Sequence, residues 1–382
     1  MSVLAGGLAL VAVLGLAYLA LAAASVLRLA RRPLPRTEWL PSVTILKPLH
    51  GDEPGLADAL ASFCEQDYDG PVEIVFGVQS PADPAIAVVD RLRATMPGRE
   101  FALVVDGHQH GSNRKVSNLI NMSAVSRHEV LVLADSDMHV GPTYLRDVVA
   151  ALAKPGVGAV TCLYHGRDDG GFWSRLARLG IDTHFLPSVA VGLQLGLAKP
   201  CFGSTIAIRR GTLDAIGGFA ALRDELADDY RIGAAVRDLG LRVAVPPFTI
   251  GHSCPERSAR ALMRQELRWV RTIRTIDPAG HAGSILAHPL PFALAALAVA
   301  PGPLAIGLAA SAIALRVALC LAVERAFGLR RHSYWLAPAR DMLSFAVFLA
   351  SFAGRGVSWR GHAYRVDQAG LMAPKQEVLD AR

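Results

Sequence analysis

Two kinds of apolar pattern alternate along this chain. Val3 to Leu27 is apolar almost without break. A helix rising about 1.5 Å per residue over that length crosses a hydrocarbon core of about 30 Å. Basic residues follow this run rather than precede it, at Arg28, Arg31, Arg32 and Arg36. That order predicts a retained anchor instead of a cleaved leader, with the following segment in the cytoplasm. A second apolar region, Ile285 to Val323, is broken at Pro301-Gly302-Pro303, and a third runs from Leu336 to Phe352. The second reads as a helical hairpin or a strongly kinked pair. Arg325, Arg330 and Arg331 lie between the two, and the tail carries Arg355, Arg360, Arg365 and Lys375. Three crossings after a cytoplasmic core do not put both basic groups on the cytoplasmic side, so one segment is expected to be re-entrant or interfacial.

Between about 40 and 255 the pattern changes to short apolar runs separated by longer amphipathic stretches. Strands are predicted at Val43–Leu46, Val72–Val78, Phe101–Val105 and Val130–Ala134, with further runs at Val157–Leu163 and Thr205–Ile208. Helices are predicted near 54–66, 83–95, 113–126 and 142–153. Alternating β and α units argue for an α/β domain with a mostly parallel sheet. Such sheets bind ligands beyond the carboxyl ends of their strands.

Composition fits a membrane protein. The 382 residues are 52% hydrophobic, with a mean hydropathy of +0.33 and a formal charge of +6. The modest basic excess suits anionic lipid or an anionic substrate, and no basic, aromatic-rich stretch suggests nucleic acid. Cys64, Cys162, Cys201, Cys254 and Cys320 are scattered without zinc-ligand spacing and read as buried small hydrophobes.

Three acidic groups stand where an α/β sheet presents chemistry. The strand Val130 to Ala134 ends in Asp135-Ser136-Asp137, and alternate residues of an extended chain point the same way. Two such carboxylates suit Mg²⁺ or Mn²⁺ shared with a diphosphate, or a plain solvated turn. Asp83 follows the second strand and also precedes Pro84, as a helix N-cap would. Asp228-Asp229-Tyr230 opens a helical stretch, with Asp224 and Glu225 nearby. Crowded carboxylates raise one another's pKa, which suits a general base, although capping explains one of them. Finally, Arg260, Arg264, Arg268, Arg271 and Arg274 recur every three or four residues just before the second apolar region. On a helix they form one stripe, for lipid headgroups or for a leaving diphosphate.

These sites in this order resemble the inverting family-2-like glycosyltransferases, and more closely the ceramide glucosyltransferase family. The resemblance rests on Ile45-Leu-Lys47-Pro-Leu, Asp83-Pro-Ala-Ile, Gly111-Ser-Asn113-Arg-Lys115-Val-Ser-Asn118-Leu, Asp135-Ser, Asp228-Asp229-Tyr230 and Gln265-Glu-Leu-Arg268-Trp269. Within that family, Lys115 to Met122, Ala134 to Asp137 and Trp269 to Arg274 look most like the bacterial hopanoid-associated branch. Asp137 is a departure from the sphingolipid enzymes, which usually lack a carboxylate there.

The resemblance implies a GT-A-like nucleotide-sugar-binding domain between N-terminal and C-terminal transmembrane helices. The implied division is an anchor at 1–28, a cytoplasmic catalytic domain at 40–256, an amphipathic interfacial helix at 257–280, a membrane region at 284–354 and a tail at 355–382. It implies a UDP-sugar donor, with N-acetylglucosamine transferred to a hopanoid at the cytoplasmic leaflet of a bacterial inner membrane, or glucose to ceramide. Lys47, Asp83, Asn113, Lys115 and Asp135 would bind the nucleotide-sugar, and Asp135 and Asp137 the Mg²⁺ or Mn²⁺. Asp229 would be the base with Asp228 beside it, and Gln265, Arg268 and Trp269 would serve diphosphate and acceptor. A processive polysaccharide synthase shares the last motif, but the membrane region is small for a polymer channel. A catalytically silent lipid-binding scaffold is the alternative of another class.

Overall fold

The computed structural model describes residues 2–354 with their side chains, and beyond them the backbone of three short strands. The chain forms two compact units. One comprises Met1–Arg32, His165–Ala198 and Cys254–Arg355. The other comprises Pro33–Tyr164 and Lys199–Ser253, together with the tail strands. Residues 165–198, inside the stretch expected to form one catalytic domain, therefore belong with the terminal helices.

The strands in chain order are β1 (Val43–Pro48), β2 (Val72–Val78), β3 (Glu100–Val105), β4 (Val130–Leu133), β5 (Met138–His139), β6 (Val157–Thr161), β7 (Leu163–Asp168), β8 (Ile206–Arg209), β9 (Arg242–Ala244) and β10 (Thr249–Cys254). The tail adds β11 (Gly356–Trp359), β12 (His362–Val366) and β13 (Met372–Pro374), a small antiparallel meander. The tail's basic side chains lie outside the described residues.

The main sheet has seven strands in the order β3-β2-β1-β4-β8-β6-β9. All neighbours pair in parallel except β8, which runs against both β4 and β6. The expected mostly parallel sheet is present. Its strands are apolar on both faces because helices cover both. Val43, Ile45, Ile74, Phe76, Val130 and Val132 face one core, shared with the helices Leu56–Cys64, Ala85–Thr95 and Tyr144–Leu152. The alternating Leu46, Val75, Leu131 and Leu133 face the other, with Val116, Leu119 and Met122 of helix Arg114–Ser123. A fully buried side chain of this kind stabilises by about 1.5–3 kcal/mol, so both faces are needed to hold the sheet.

In the other unit two helices are long and apolar enough to cross a membrane, Val3–Ala30 and Pro303–Phe327. Helices Pro278–Ala287 and Pro289–Val299 are bent by 58° at a short break and together reach the same apolar length. The third apolar run forms helix Ala337–Ser351, whose 15 residues are too few to span by themselves. It also buries Arg340 and Asp341, which an isolated span would expose to lipid. Gly15 lets the first helix approach closely, since a Cβ there would lie 2.8 Å from Pro289 Cβ.

Candidate active site

The carboxyl ends of β1, β2 and β4 bring the sheet-borne candidates together. Past β4, the Asp135 amide donates to the Gly203 carbonyl (3.2 Å). The Gly203 amide in turn donates to Asp229 Oδ2 (2.9 Å). One residue thus binds the backbone of Asp135 and the carboxylate of Asp229. A Cβ here would stand 2.8 Å from Asp135 Oδ2 and 3.0 Å from Lys115 Nζ, so a larger residue would push those side-chain ends aside. In the sequence Gly203 is marked only as a glycine shortly before an apolar run.

Lys115 bridges Asp135 to Asp228, the neighbour of Asp229. Its ammonium lies 2.7 Å from Asp135 Oδ1 and 3.7 Å from Asp228 Oδ2. Burial works against its charge, and Asp135, Asp228 and Asp229 outweigh burial, so its pKa is raised. The preceding loop explains the Gly111 to Asn118 motif residue by residue. A Cβ on Gly111 would meet the Arg223 carbonyl at 2.5 Å. Ser112 donates to Asp224 Oδ1 through its amide (2.8 Å) and its hydroxyl (2.9 Å). Asn113 accepts from the Val116 amide, as a helix N-cap, and donates to the Glu225 carbonyl (2.8 Å). Asn113 is fully buried. It therefore ties the loop to the segment that precedes Asp228 and Asp229.

Asp228 and Asp229 begin helix Asp228–Asp238. Asp228 is buried and its pKa is raised, first by burial. Asp229 is half-buried, and its Oδ1 accepts from the Tyr230 amide (2.7 Å). Burial and then the Asp228 charge push its carboxyl up to about 6, against the pull of Lys115 and the two amides. The source of crowding differs from the sequence expectation. Asp224 is held by Ser112, which keeps its pKa below the usual range, and Glu225 pairs with Arg231 at 3.1 Å. Asp228 is the carboxylate whose charge raises Asp229.

Lys47, at the end of β1, is fully buried and donates to the Asp135 carbonyl (2.5 Å) with its ammonium 3.8 Å from the Phe63 ring. Burial lowers its pKa to about 7, opposed by Asp137, Asp135 and Glu53. It offers no surface to a ligand and props the acidic turn from beneath. Asp83 Oδ1 accepts from the Ala85 and Gly51 amides, both at 2.9 Å. It does so from one residue before the position expected of it, since Pro84 is the N-cap of helix Ala85–Thr95. His50 lies 3.6 Å from its other oxygen.

Asp137 Oδ2 lies 3.3 Å from His252 Nε2, and the His252 ring stacks on Tyr164. Burial raises the Asp137 carboxyl, but His252 and then Lys47 outweigh it and bring it down to about 2. Its buried Oδ1 has no hydrogen-bond partner among the described residues. An ionised carboxylate with a bare oxygen, one residue from Asp135, fits a hard divalent cation. Among the described residues no three acidic, histidine or cysteine side chains form a preformed metal cage. A cation held here would take its other ligands from substrate and water.

Gln265, Arg268 and Trp269 lie on helix Ala259–Ile276 of the other unit. Arg268 donates to Gln265 Oε1 (3.2 Å). The basic stripe is only partly available to headgroups. Arg271 and Arg274 donate to the Ala353 and Gly354 carbonyls, each at 2.8 Å, while Arg260 and Arg264 are exposed.

The family model described as glycosyl transferase family 21 matches residues 7–372. Ceramide glucosyltransferase 1 of Caenorhabditis elegans is 25% identical over 233 residues, 61% of this chain and 50% of that protein. An N-acetylglucosaminyltransferase of Rhizobium leguminosarum bv. viciae is 22% identical over 247 residues, covering 62% and 56%. The chain spans about half the length of the curated relatives it matches. The mannosyltransferase PcManGT from Pyrobaculum calidifontis, solved with GDP-Man and Mn²⁺, superposes with a TM-score of 0.54 at 22% identity, over 91% of this chain and 99% of that one. The fold is GT-A-like.

Proposed function

The chain belongs to glycosyl transferase family 21, and from that premise we propose that it is an inverting hexosyltransferase acting on a membrane lipid. The observation that carries this is the half-buried Asp229, raised to about 6 and held by the amide of Gly203, the residue that also holds Asp135. A base near neutrality takes the proton of an acceptor hydroxyl as that oxygen attacks the anomeric carbon. The bond to the diphosphate breaks on the opposite side. One displacement inverts the centre, so an α-linked donor yields a β-glycoside.

Asp83 and the end of β1 would face the nucleoside, with Lys115 and Asp135 toward the diphosphate. Lys47 and Asn113 would serve the donor indirectly, by supporting Asp135 and the base loop. Asp135 and Asp137 would hold Mg²⁺ or Mn²⁺, which supplies positive charge to the diphosphate when bound. Gln265, Arg268 and Trp269 are assigned to diphosphate and acceptor on the strength of the motif.

For the substrates, N-acetylglucosamine from UDP-N-acetylglucosamine onto a hopanoid is the leading reading. Glucose onto ceramide is the second, favoured by the similarity to ceramide glucosyltransferases. The basic residues after the first apolar helix support a multi-pass protein of a bacterial inner membrane with its catalytic domain in the cytoplasm. Purified protein given a UDP-sugar and Mg²⁺ should release UDP and glycosylate the lipid acceptor. Asp229→Ala should slow this by about 10²–10⁴-fold. Equal, slow UDP release by both proteins would favour a silent scaffold, and a growing oligosaccharide would favour a processive enzyme. Mass spectrometry of lipids from a deletion strain should show which glycolipid disappears.

A further inference from the structure

The helix that carries Gln265, Arg268 and Trp269 buries only two of its residues, Leu262 and Glu266. Glu266 lies between members of the motif and is the only buried charge on that helix. It meets Arg340 of helix Ala337–Ser351 in a two-pronged pair, Nη1 to Oε1 at 2.5 Å and Nη2 to Oε2 at 2.9 Å. Arg340 is 4% exposed, and two more of its donors are committed. Nε donates to Ser344 Oγ (2.9 Å) and Nη1 to the Leu176 carbonyl (3.3 Å). Gly180 leaves room for it, since a Cβ there would lie 2.7 Å from the guanidinium carbon.

A forked pair fixes both rotation and translation of a helix, which an apolar contact does less strictly. A lone ion pair removed from water contributes little net stability, so stability is a poor reason to bury this one. The Arg271 and Arg274 bonds to the Ala353 and Gly354 carbonyls tie the motif helix to the segment just past the end of helix Ala337–Ser351. We propose that Glu266 and Arg340 are positioning residues, setting the rotation of the motif helix and so the placement of Arg268 and Trp269. This rests on the reading that the motif serves transfer.

The test compares steady-state kinetics of wild type, Asp229→Asn, the double variant E266L/R340M and the single variant R340K, all in detergent with donor and lipid acceptor. Replacing both partners by apolar groups leaves no orphaned charge, so the double variant should keep a melting temperature close to wild type. Its kcat should fall by about 10²-fold, the usual cost of a misplaced catalytic group, with the donor KM unchanged. R340K keeps the charge but loses the fork, and should show a smaller kcat loss at unchanged donor KM. If the double variant does not fold, R340K decides by the same split. Wild-type kcat in either folded variant overturns the proposal. A loss that tracks melting temperature alone does so too, because it makes the pair merely structural. Absence of transfer by wild type, with Asp229→Asn no different from it, would instead refute the transferase reading itself.

Discussion

At Asp229, burial and the neighbouring Asp228 oppose ionisation, while Lys115 and the amides of Gly203 and Tyr230 favour it. As the proposed base, Asp229 acts only when deprotonated, so the rate should fall as pH drops through about 6, by up to tenfold per pH unit. Asp228→Asn removes the repelling charge. It should move that acidic limb to lower pH, visible in a kcat/KM profile. Gly203→Ala forces a methyl against Asp135 and Lys115. It should lower kcat/KM by about tenfold or more, the scale of an overpacking cost of 1–3 kcal/mol, with the rest of the sheet intact by circular dichroism. Lys47, Asp83 and Asn113 were recognisable as polar residues at strand ends or helix starts. Their division into a prop, a clamp and a cap was not, because each depends on which backbone group arrives from elsewhere in the chain.

Among the elements, the helix Phe172–Gly180 passes through a π-helical turn, Ile181–Phe185, before continuing as Leu186–Gln194. Such turns re-aim side chains within a helix. Here the turn presents Asp182 to His332 (2.7 Å) and the Thr183 carbonyl to Arg316 Nη1 (2.7 Å). Arg316 sits mid-way along the span Pro303–Phe327, fully buried, and pairs with Asp341 (2.7 Å). Arg316→Leu leaves the Asp341 carboxylate without that charge. It should destabilise the protein by about 3–5 kcal/mol, measured as a lowered melting temperature in detergent. A hydropathy pattern shows Arg316 as an interruption of an apolar run. It does not show the partners that make the interruption tolerable. The same holds for Arg340 and Asp341, which interrupt the third apolar run inside helix Ala337–Ser351.

At the level of the whole molecule, the proposed single displacement makes the product's stereochemistry a direct check. NMR of the glycolipid made from an α-linked UDP-sugar should show a β-anomer. A retained α-configuration would require a second displacement and would count against Asp229 as a base. Orientation is checked separately, by a reporter fused after Arg36, which should be cytoplasmic. The α/β class, six of the sheet strands and the long apolar helices were legible in the sequence. Periodicity and span length are local properties, written in consecutive residues. Asp83 and the Asp135 to Asp137 turn were legible as residue types after strand ends, because an open parallel sheet exposes those ends wherever it forms, and Asp228-Asp229 as the start of a helix. What only the tertiary structure decided is the link between them. Gly203 holds Asp135 and Asp229 at once, Asp228 rather than Asp224 crowds the base, and Arg340 holds Glu266. These links join residues far apart in the chain, and a hydrogen bond or a charge's field depends on distance in space, which no linear pattern records.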